Sequence, residues 1–491
     1  MSQATLKKQT INTSGPDYPE LKLFIGGEWV TTEGRKTESV LNPATEQVLG
    51  ELPHASTVDL DRALMTIEEG FTEWRSIIPM ERGRILNKTA ALLRERMNEI
   101  APIATMESGK TLMQARMEVN LSANIFEWYA EEGRRAYGRL IPRQGPGTRM
   151  MVVKDPIGPA AGFTPWNFPI GNPARKYCAA LGAGCSCILK PAEETPASAM
   201  AVTQCLLDAG VPPKAVALVF GVPAEVSSYI LASPVIRAMS FTGSIPVGKQ
   251  LMKLCADRMI RTTMELGGHA PVVVFDDVDI NKVLDGAVPF KFANAGQICV
   301  SPTRFYIQEK IYEDFVKGFT ERVKQITVGN GLDENNRMGP MIHSRRRDAV
   351  EELIQDAINH GAKLHTGGKR LDGPGYFFEP TVISDVNNDA RIMNEEPFGP
   401  VAIMNPFKDF DSVIQQANRL SYGLAGYAFT NDARISRLLG DQLEAGMLGI
   451  NTFGISLPES PFGGVKESGH GSEEGIEGLE SFLVTRTISE A

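Results

Sequence analysis

The sequence predicts an α/β protein built on parallel sheets. Its 491 residues exceed what one ordinary core needs, so two or three domains are expected. From about residue 150, short apolar runs alternate with segments of helical period, the rhythm of strand–helix–strand units. A second stretch of the same kind runs from Pro271 to about Gly463.

In chain order, the first twenty residues are polar and are expected to fray. Leu23 to Val48 consists of short apolar runs broken by Gly26-Gly27-Glu28 and Asn42-Pro43, a hairpin pattern. Residues 58 to 135 read as successive amphipathic helices, as in Ala90-Ala-Leu-Leu-Arg-Glu-Arg-Met97, where apolar positions recur at helical spacing. Met151-Val-Val153, Ala160-Ala-Gly-Phe163 and Cys187-Ile-Leu189 then read as strands, and Ala197 to Leu207 as a helix. Val216 to Phe220 and Ala238 to Phe241 are strands again, completing an alternation that argues for a parallel sheet. The tail, Ser481 to Thr487, alternates as an edge strand does and is able to extend a neighbouring sheet.

Composition narrows the partners. Hydrophobic residues make up 42% and charged residues 22% of the chain, the balance of a globular protein at home in water. The net charge of -9 arises from 59 acids against 50 bases, mixed along the chain, with no basic stripe for nucleic acid. The longest apolar runs, such as Ala270 to Phe275, fall far short of the roughly 18 residues of a membrane span. Met1 to Lys8 lacks the apolar stretch of a secretory signal. Six cysteines are sparse; Cys185 and Cys187, with no histidine nearby, read as small core residues in a reducing compartment rather than metal ligands. A cytoplasmic location is expected.

Two segments point to a dinucleotide. The Gly-x-Gly-x-x-Gly signature is absent, and Phe241-Thr-Gly-Ser-Ile-Pro-Val-Gly248 stands in its place: a strand, a turn at Gly243-Ser244, and a helix starting near Pro246. Proline suits a first helical turn, and the free N–H groups there can hold a pyrophosphate. Leu189-Lys-Pro-Ala-Glu-Glu-Thr-Pro196 ends an earlier strand, the end at which open parallel sheets bind ligands. An acid and a lysine there can bond ribose hydroxyls. Either segment alone is also an ordinary strand–helix connector; together they favour a cofactor.

The chemistry sits in three further segments. Cys299 lies in Phe292-Ala-Asn-Ala-Gly-Gln-Ile-Cys-Val-Ser301, Glu265 in Glu265-Leu-Gly-Gly268, and Asn167 in Thr164-Pro-Trp-Asn-Phe-Pro169. Thiol, carboxylate and amide are what it takes to attack an aldehyde, hold the oxyanion and activate water. Asn167 offers two uncharged N–H donors, and the backbone N–H of Cys299 could add another. Each residue alone also has a bland reading as core thiol, surface acid or turn amide. Their joint occurrence carries the case. His269 lacks metal-ligand spacing and reads as structural, and no metal is expected.

Taken together, these residues resemble the aldehyde dehydrogenase superfamily over nearly the whole chain. Thr164 to Pro169, Glu265 to Gly268, Gly296 to Cys299, Glu396 to Pro400 and Pro461 to Gly464 match its motifs in order. The resemblance implies a Rossmann-like cofactor domain over 1–132 and 156–264, and an α/β catalytic domain over 265–470. A small β bridge over 133–155 and 475–491 would build homodimers or homotetramers. It also implies Cys299 as nucleophile, Asn167 as oxyanion donor, Glu265 as base, and Lys176 with Glu473 as a proton relay. Lys190 and Glu193 fall on the adenosine ribose and Gly243 and Ser244 on the phosphates. Thr164, Pro165, Trp166, Leu266 and Gly267 fall on the cofactor pocket, and Glu396 and Phe398 on the nicotinamide side. NAD is preferred, because Glu193 would repel the 2′-phosphate of NADP; NADP remains possible.

Within the superfamily, Phe126 to Arg135 and Arg175-Lys176 resemble the succinate-semialdehyde dehydrogenase branch. There Arg175 would pair with the substrate's remote carboxylate, and Phe168, Ile298 and Ser456 would line the substrate pocket. Four positions depart from the branch pattern. Ala293 stands where a second arginine is common, Val300 where some members have a second cysteine, Ile245-Pro246 in the phosphate turn, and Ser472 in place of an arginine. The expected substrate is a short semialdehyde such as succinate semialdehyde. The alternatives are a broad-specificity enzyme for uncharged or aromatic aldehydes, a CoA-acylating relative, and a member without turnover. Glu265 argues against the CoA-acylating relative, and the intact trio of Cys299, Asn167 and Glu265 against the member without turnover.

Overall fold

In the computed structural model of the chain, residues 17–143 and 145–491 are described. The expectation for the polar first twenty residues falls mainly on positions outside them. Helices Thr57–Ser76, Pro79–Glu95, Met97–Ser108 and Leu112–Glu132 fill the span read as helical. Capping boxes start two of them, Ser56 with Asp59 and Thr111 with Gln114, each satisfying otherwise unpaired N–H groups. The Leu112–Glu132 helix buries Ala115, Glu118, Val119 and Ser122. That spacing places a carboxylate within the buried stripe.

The first sheet has eight strands. Its parallel centre runs Arg261–Glu265, Ala238–Thr242, Ala160–Phe163, Cys187–Lys190, Val216–Leu218. The hairpin Leu23–Ile25 with Glu28–Val30 adds one edge, antiparallel, and Gly469–His470 the other. Register pairs Thr242 with Glu265, Phe241 with Phe163, and Phe163 with Lys190. The carboxyl ends of these strands therefore share one rim, and every residue expected to touch cofactor phosphate or ribose follows from it.

The second sheet has seven strands, ordered Lys363–Thr366, Thr381–Ser384, Val401–Phe407, Pro302–Gln308, Ala270–Val274, Ala425–Phe429, Met447–Ile450. All but the first edge strand are parallel. Each sheet has its own apolar core, one drawn from Leu21 to Leu266 with Leu479 to Leu483, the other from Ala270 to Phe462.

One strand differs from the sequence reading. Met151-Val-Val153 belongs not to the parallel sheet but to an antiparallel one of Leu483–Glu490, Arg149–Pro156 and Arg139–Ile141. Its residues are mostly half-exposed, whereas Ala160–Phe163 is buried throughout, as a central parallel strand must be. The tail, expected to extend a neighbouring sheet, pairs with this strand of its own chain over eight positions, from Leu483–Pro156 to Glu490–Arg149.

Candidate active site

Cys299 sits on a loop whose shape is fixed by backbone that few side chains tolerate. Asn294 and Ala295 take left-handed conformations, and Gly296 follows at φ 71°. A side chain on Gly296 would overlap the Gly399 carbonyl, so the loop packs flush against the segment carrying Phe398. Gln297, fully buried, accepts the Ile342 N–H at 3.0 Å and donates to Asn294 O at 3.0 Å. Tyr427 Oη donates to Val300 O at 2.8 Å. On the opposite side, a Cβ at Gly268 would come within 2.5 Å of the Cys299 carbonyl. The Glu265 segment and the Cys299 loop thus approach as closely as two backbones can.

Burial, reinforced by Glu396 and Glu265, pushes the Cys299 thiol up to about 12, with Arg175 opposing. That shift favours the thiol over the thiolate at neutral pH. Asn167 lies against the same loop: its Nδ2 donates to Gln297 O at 3.1 Å. One of the two N–H donors expected of Asn167 is therefore spent on anchoring, and one remains.

Two residues that the sequence reading missed hold the Asn167 segment. Lys110 and Glu118 form a fully buried ion pair. Lys110 Nζ also donates to Asn167 O at 2.8 Å, while Glu118 Oε1 accepts from the backbone N–H of Ile170 at 2.8 Å and Gly171 at 2.9 Å. The available signal was Glu118 itself, a carboxylate on the apolar stripe of its helix.

Glu265 ends its strand buried at 2% exposure, and neither carboxylate oxygen has a hydrogen-bond partner among the described residues. Burial and then Glu473 raise it well above the usual carboxylate range, with Lys176 and Arg175 opposing. Lys176, buried on the helix Gly171–Ala183, pairs with Glu473 and donates to Thr242 Oγ1 at 2.6 Å. Ser240 Oγ donates to Glu473 Oε1 at 3.0 Å.

The cofactor half follows the shared rim. The helix Ile245–Ala256 starts at Ser244, whose side chain makes no capping bond, leaving first-turn N–H groups open to an anion. Lys190 Nζ is 2.6 Å from Glu193, and Gly221 N donates to Glu193 Oε1 at 3.3 Å. Thr164 Oγ1 is buried without a partner. Glu396 accepts from Gly268 N at 3.2 Å, and burial pushes its carboxyl up to about 8. Phe398, at φ 42°, meets Trp166 edge-on at 5.6 Å. An open helix start, an orphaned hydroxyl and a carboxylate at the strand ends fit a pyridine dinucleotide.

A single cavity of about 840 Å³ joins these parts, from Gly243 and Ser244 past Pro165, Trp166, Leu266 and Gly267 to Cys299. Glu265, Asn167, Glu396, Phe398, Glu473, Arg175, Phe168, Ile298 and Ser456 also face it. Thr164, Lys176, Lys190 and Glu193 do not; they stand behind or beside its wall. Phe168, Phe290, Phe453 and Phe462 line the cavity with Ile298, Val300 and Ala293, an apolar and aromatic wall that it shares with Cys299. Arg175, expected to await a carboxylate, is already engaged: its Nε donates to the buried Glu474 at 2.8 Å. His269 is buried and bonded to Thr303 Oγ1 at 2.7 Å and Ile392 O at 2.9 Å, a core role.

Known proteins resemble the chain along most of its length. The aldehyde dehydrogenase family model matches residues 29–488. The 4-(hydroxymethyl)benzenesulfonate dehydrogenase TsaD1 of Comamonas testosteroni is 48% identical over 465 residues, 95% of this chain and 97% of the relative. The succinate-semialdehyde dehydrogenase [NADP(+)] GabD of Escherichia coli is 40% identical over 461 residues, 94% and 95% of the two chains. The solved succinate-semialdehyde dehydrogenase of Burkholderia pseudomallei superposes with a TM-score of 0.95 at 38% identity, covering 98% of this chain and 100% of that one. No described helix is long and apolar enough to cross a membrane. With the family model matched over residues 29–488 and relatives 40–48% identical over at least 94% of its length, the chain belongs to the aldehyde dehydrogenase family, whose members are NAD(P)-dependent oxidoreductases.

Proposed function

We propose that the protein oxidises an aldehyde irreversibly to its carboxylic acid, with Cys299 as the nucleophile. What most supports this reading is the convergence of Cys299, Asn167 and Glu265 on one cavity. The Cys299 sulfur gives up its proton and adds to the carbonyl carbon, leaving a thiohemiacetal oxyanion. The remaining Asn167 N–H and the Cys299 backbone N–H stabilise that oxygen. Bound NAD(P)+ would accept the hydride leaving that carbon, the two-electron loss that turns the thiohemiacetal into the Cys299 thioester. Glu265 then takes a proton from water as the water attacks the Cys299 thioester, and Lys176 with Glu473 carries that proton onward.

In this reading 1–132 and 156–264, which carry most of the first sheet, are the cofactor domain, and 265–470 is the catalytic domain. The antiparallel segments 133–155 and 475–491 are the bridge of a cytoplasmic homodimer or homotetramer. NAD is the preferred cofactor, on the strength of Glu193.

Two substrate classes compete. Aromatic or uncharged aldehydes are favoured by the phenylalanine wall, by Ala293, and by the engagement of Arg175 with Glu474. The relative named for a benzenesulfonate fits an aromatic frame, although its sulfonate is an anion and lends nothing to an uncharged tail. A short semialdehyde is favoured by the presence of Arg175 in the cavity and by the relative named for succinate semialdehyde. The deciding measurement is the rate of NADH and NADPH formation with succinate semialdehyde, butanal and benzaldehyde. Higher kcat/KM for butanal or benzaldehyde is expected; a large advantage for succinate semialdehyde would hand the case to the second reading.

A further inference from the structure

Arg175 is the cation nearest the substrate end of the cavity, and its charge is already met. Its Nε donates to Glu474 Oε1 at 2.8 Å, and the Glu474 side chain is 0% exposed. Ser456 Oγ donates to the other carboxylate oxygen at 3.3 Å. The outer nitrogens of Arg175 reach only Asn172 Oδ1 at 3.4 Å and Ser456 Oγ at 3.5 Å, and the guanidinium stacks on Phe462 at 4.7 Å.

The backbone makes Glu474 an unusual occupant. It sits at φ 58°, ψ −176°, a region where a Cβ is disfavoured and glycine is the ordinary residue. Burying a carboxylate on such backbone is costly twice over, and the ion pair with Arg175 is what offsets it.

The rest of the cavity wall adds no uncommitted cation at that end. Lys110 is paired with Glu118, and Arg346 lies toward Glu396 on the cofactor side. The carboxylates Glu118 and Glu473 on the same wall are paired in turn, with Lys110 and Lys176.

We propose that Glu474 is a specificity-determining residue: by neutralising Arg175 from behind, it makes the pocket select aldehydes with apolar, aromatic or uncharged tails over those ending in a carboxylate. This rests on the reading of the cavity beside Cys299 as the aldehyde pocket. Arg175 then acts as a hydrogen-bonding wall rather than a net positive anchor.

The test is kcat/KM for two matched pairs, succinate semialdehyde with butanal and 4-carboxybenzaldehyde with 4-methylbenzaldehyde, in the unaltered protein, Glu474→Gln and Glu474→Gly. The first variant removes the charge and keeps the hydrogen bond; the second also relieves the backbone. In both, the carboxylated-to-neutral ratio should rise at least about tenfold, chiefly through a lower KM for the carboxylated partner. An unchanged or lowered ratio in a folded variant overturns the proposal. Competition in the unaltered protein gives a reading independent of folding: succinate should inhibit no more tightly than succinamide, and about tenfold tighter inhibition by succinate also overturns it. Turnover of no aldehyde at all by the unaltered protein would instead sink the proposed function.

Discussion

Lys110 Nζ donates a hydrogen bond to the backbone carbonyl of Asn167 at 2.8 Å, across 57 positions of sequence. With its buried partner Glu118 gripping the N–H groups of Ile170 and Gly171, it clamps the segment from both ends. The amide proposed to face the reacting oxygen is thus positioned by an ion pair as well as by its own turn.

Replacing Lys110 by methionine should therefore strike both fold and rate. Leaving Glu118 buried and unpaired should cost about 3–5 kcal/mol, read by denaturant unfolding. A misplaced Asn167 should lower kcat on the order of a hundredfold. Lys110→Met with Glu118→Gln should recover much of the stability but not the rate. Equal recovery of both would show that Asn167 needs no such positioning.

A Cys299→Ala variant should lose oxidation and still bind cofactor, as followed by nucleotide fluorescence quenching. Substantial residual turnover would exclude the thiohemiacetal.

The pH dependence of thiol alkylation follows from burial. A thiol pushed up to about 12 is protonated at neutral pH, and only its thiolate reacts. In the cofactor-free protein, iodoacetamide inactivation should accelerate roughly tenfold per pH unit between pH 7 and pH 9. A plateau below pH 8 would mean that the resting thiol is already ionised.

Glu265 must be ionised to take a proton from water, and its carboxyl is held above the usual range by burial and Glu473. Raising the pH should therefore speed steady-state turnover through an apparent pKa above that of an ordinary glutamate. Glu265→Gln should release about one NAD(P)H per site in a burst and then stall at the thioester. Continued turnover at the unaltered rate would assign the base elsewhere.

Cofactor choice is testable at Glu193, which is held by Lys190 at 2.6 Å beside the rim of the first sheet. Glu193→Ala should raise kcat/KM with NADP relative to NAD by about tenfold or more, through loss of repulsion at the 2′-phosphate. No change in that ratio would mean that the ribose lies elsewhere.

Much of this site was legible in sequence. Cys299, Glu265 and Asn167 are each marked by local chemistry: the glycine turns at Gly296 and Gly268 and the prolines around Trp166 fix backbone shape within a few residues. The strand–helix rhythm likewise follows from short-range periodicity. Periodicity alone grouped Met151-Val-Val153 with the parallel strands, because an apolar triplet reads alike in a central and an outlying strand; pairing with the tail distinguishes them.

Short-range sequence was enough for the α/β class and for picking out the Cys299 loop and the candidate cofactor segments, because period and turn propensity act over a few neighbouring residues. Tertiary structure alone decided which charges are already satisfied. Arg175 meets Glu474 across 299 positions and Lys176 meets Glu473 across 297. Side-chain charge is written in the sequence, but whether it is free to bind a ligand depends on a distance of a few ångströms that only packing sets.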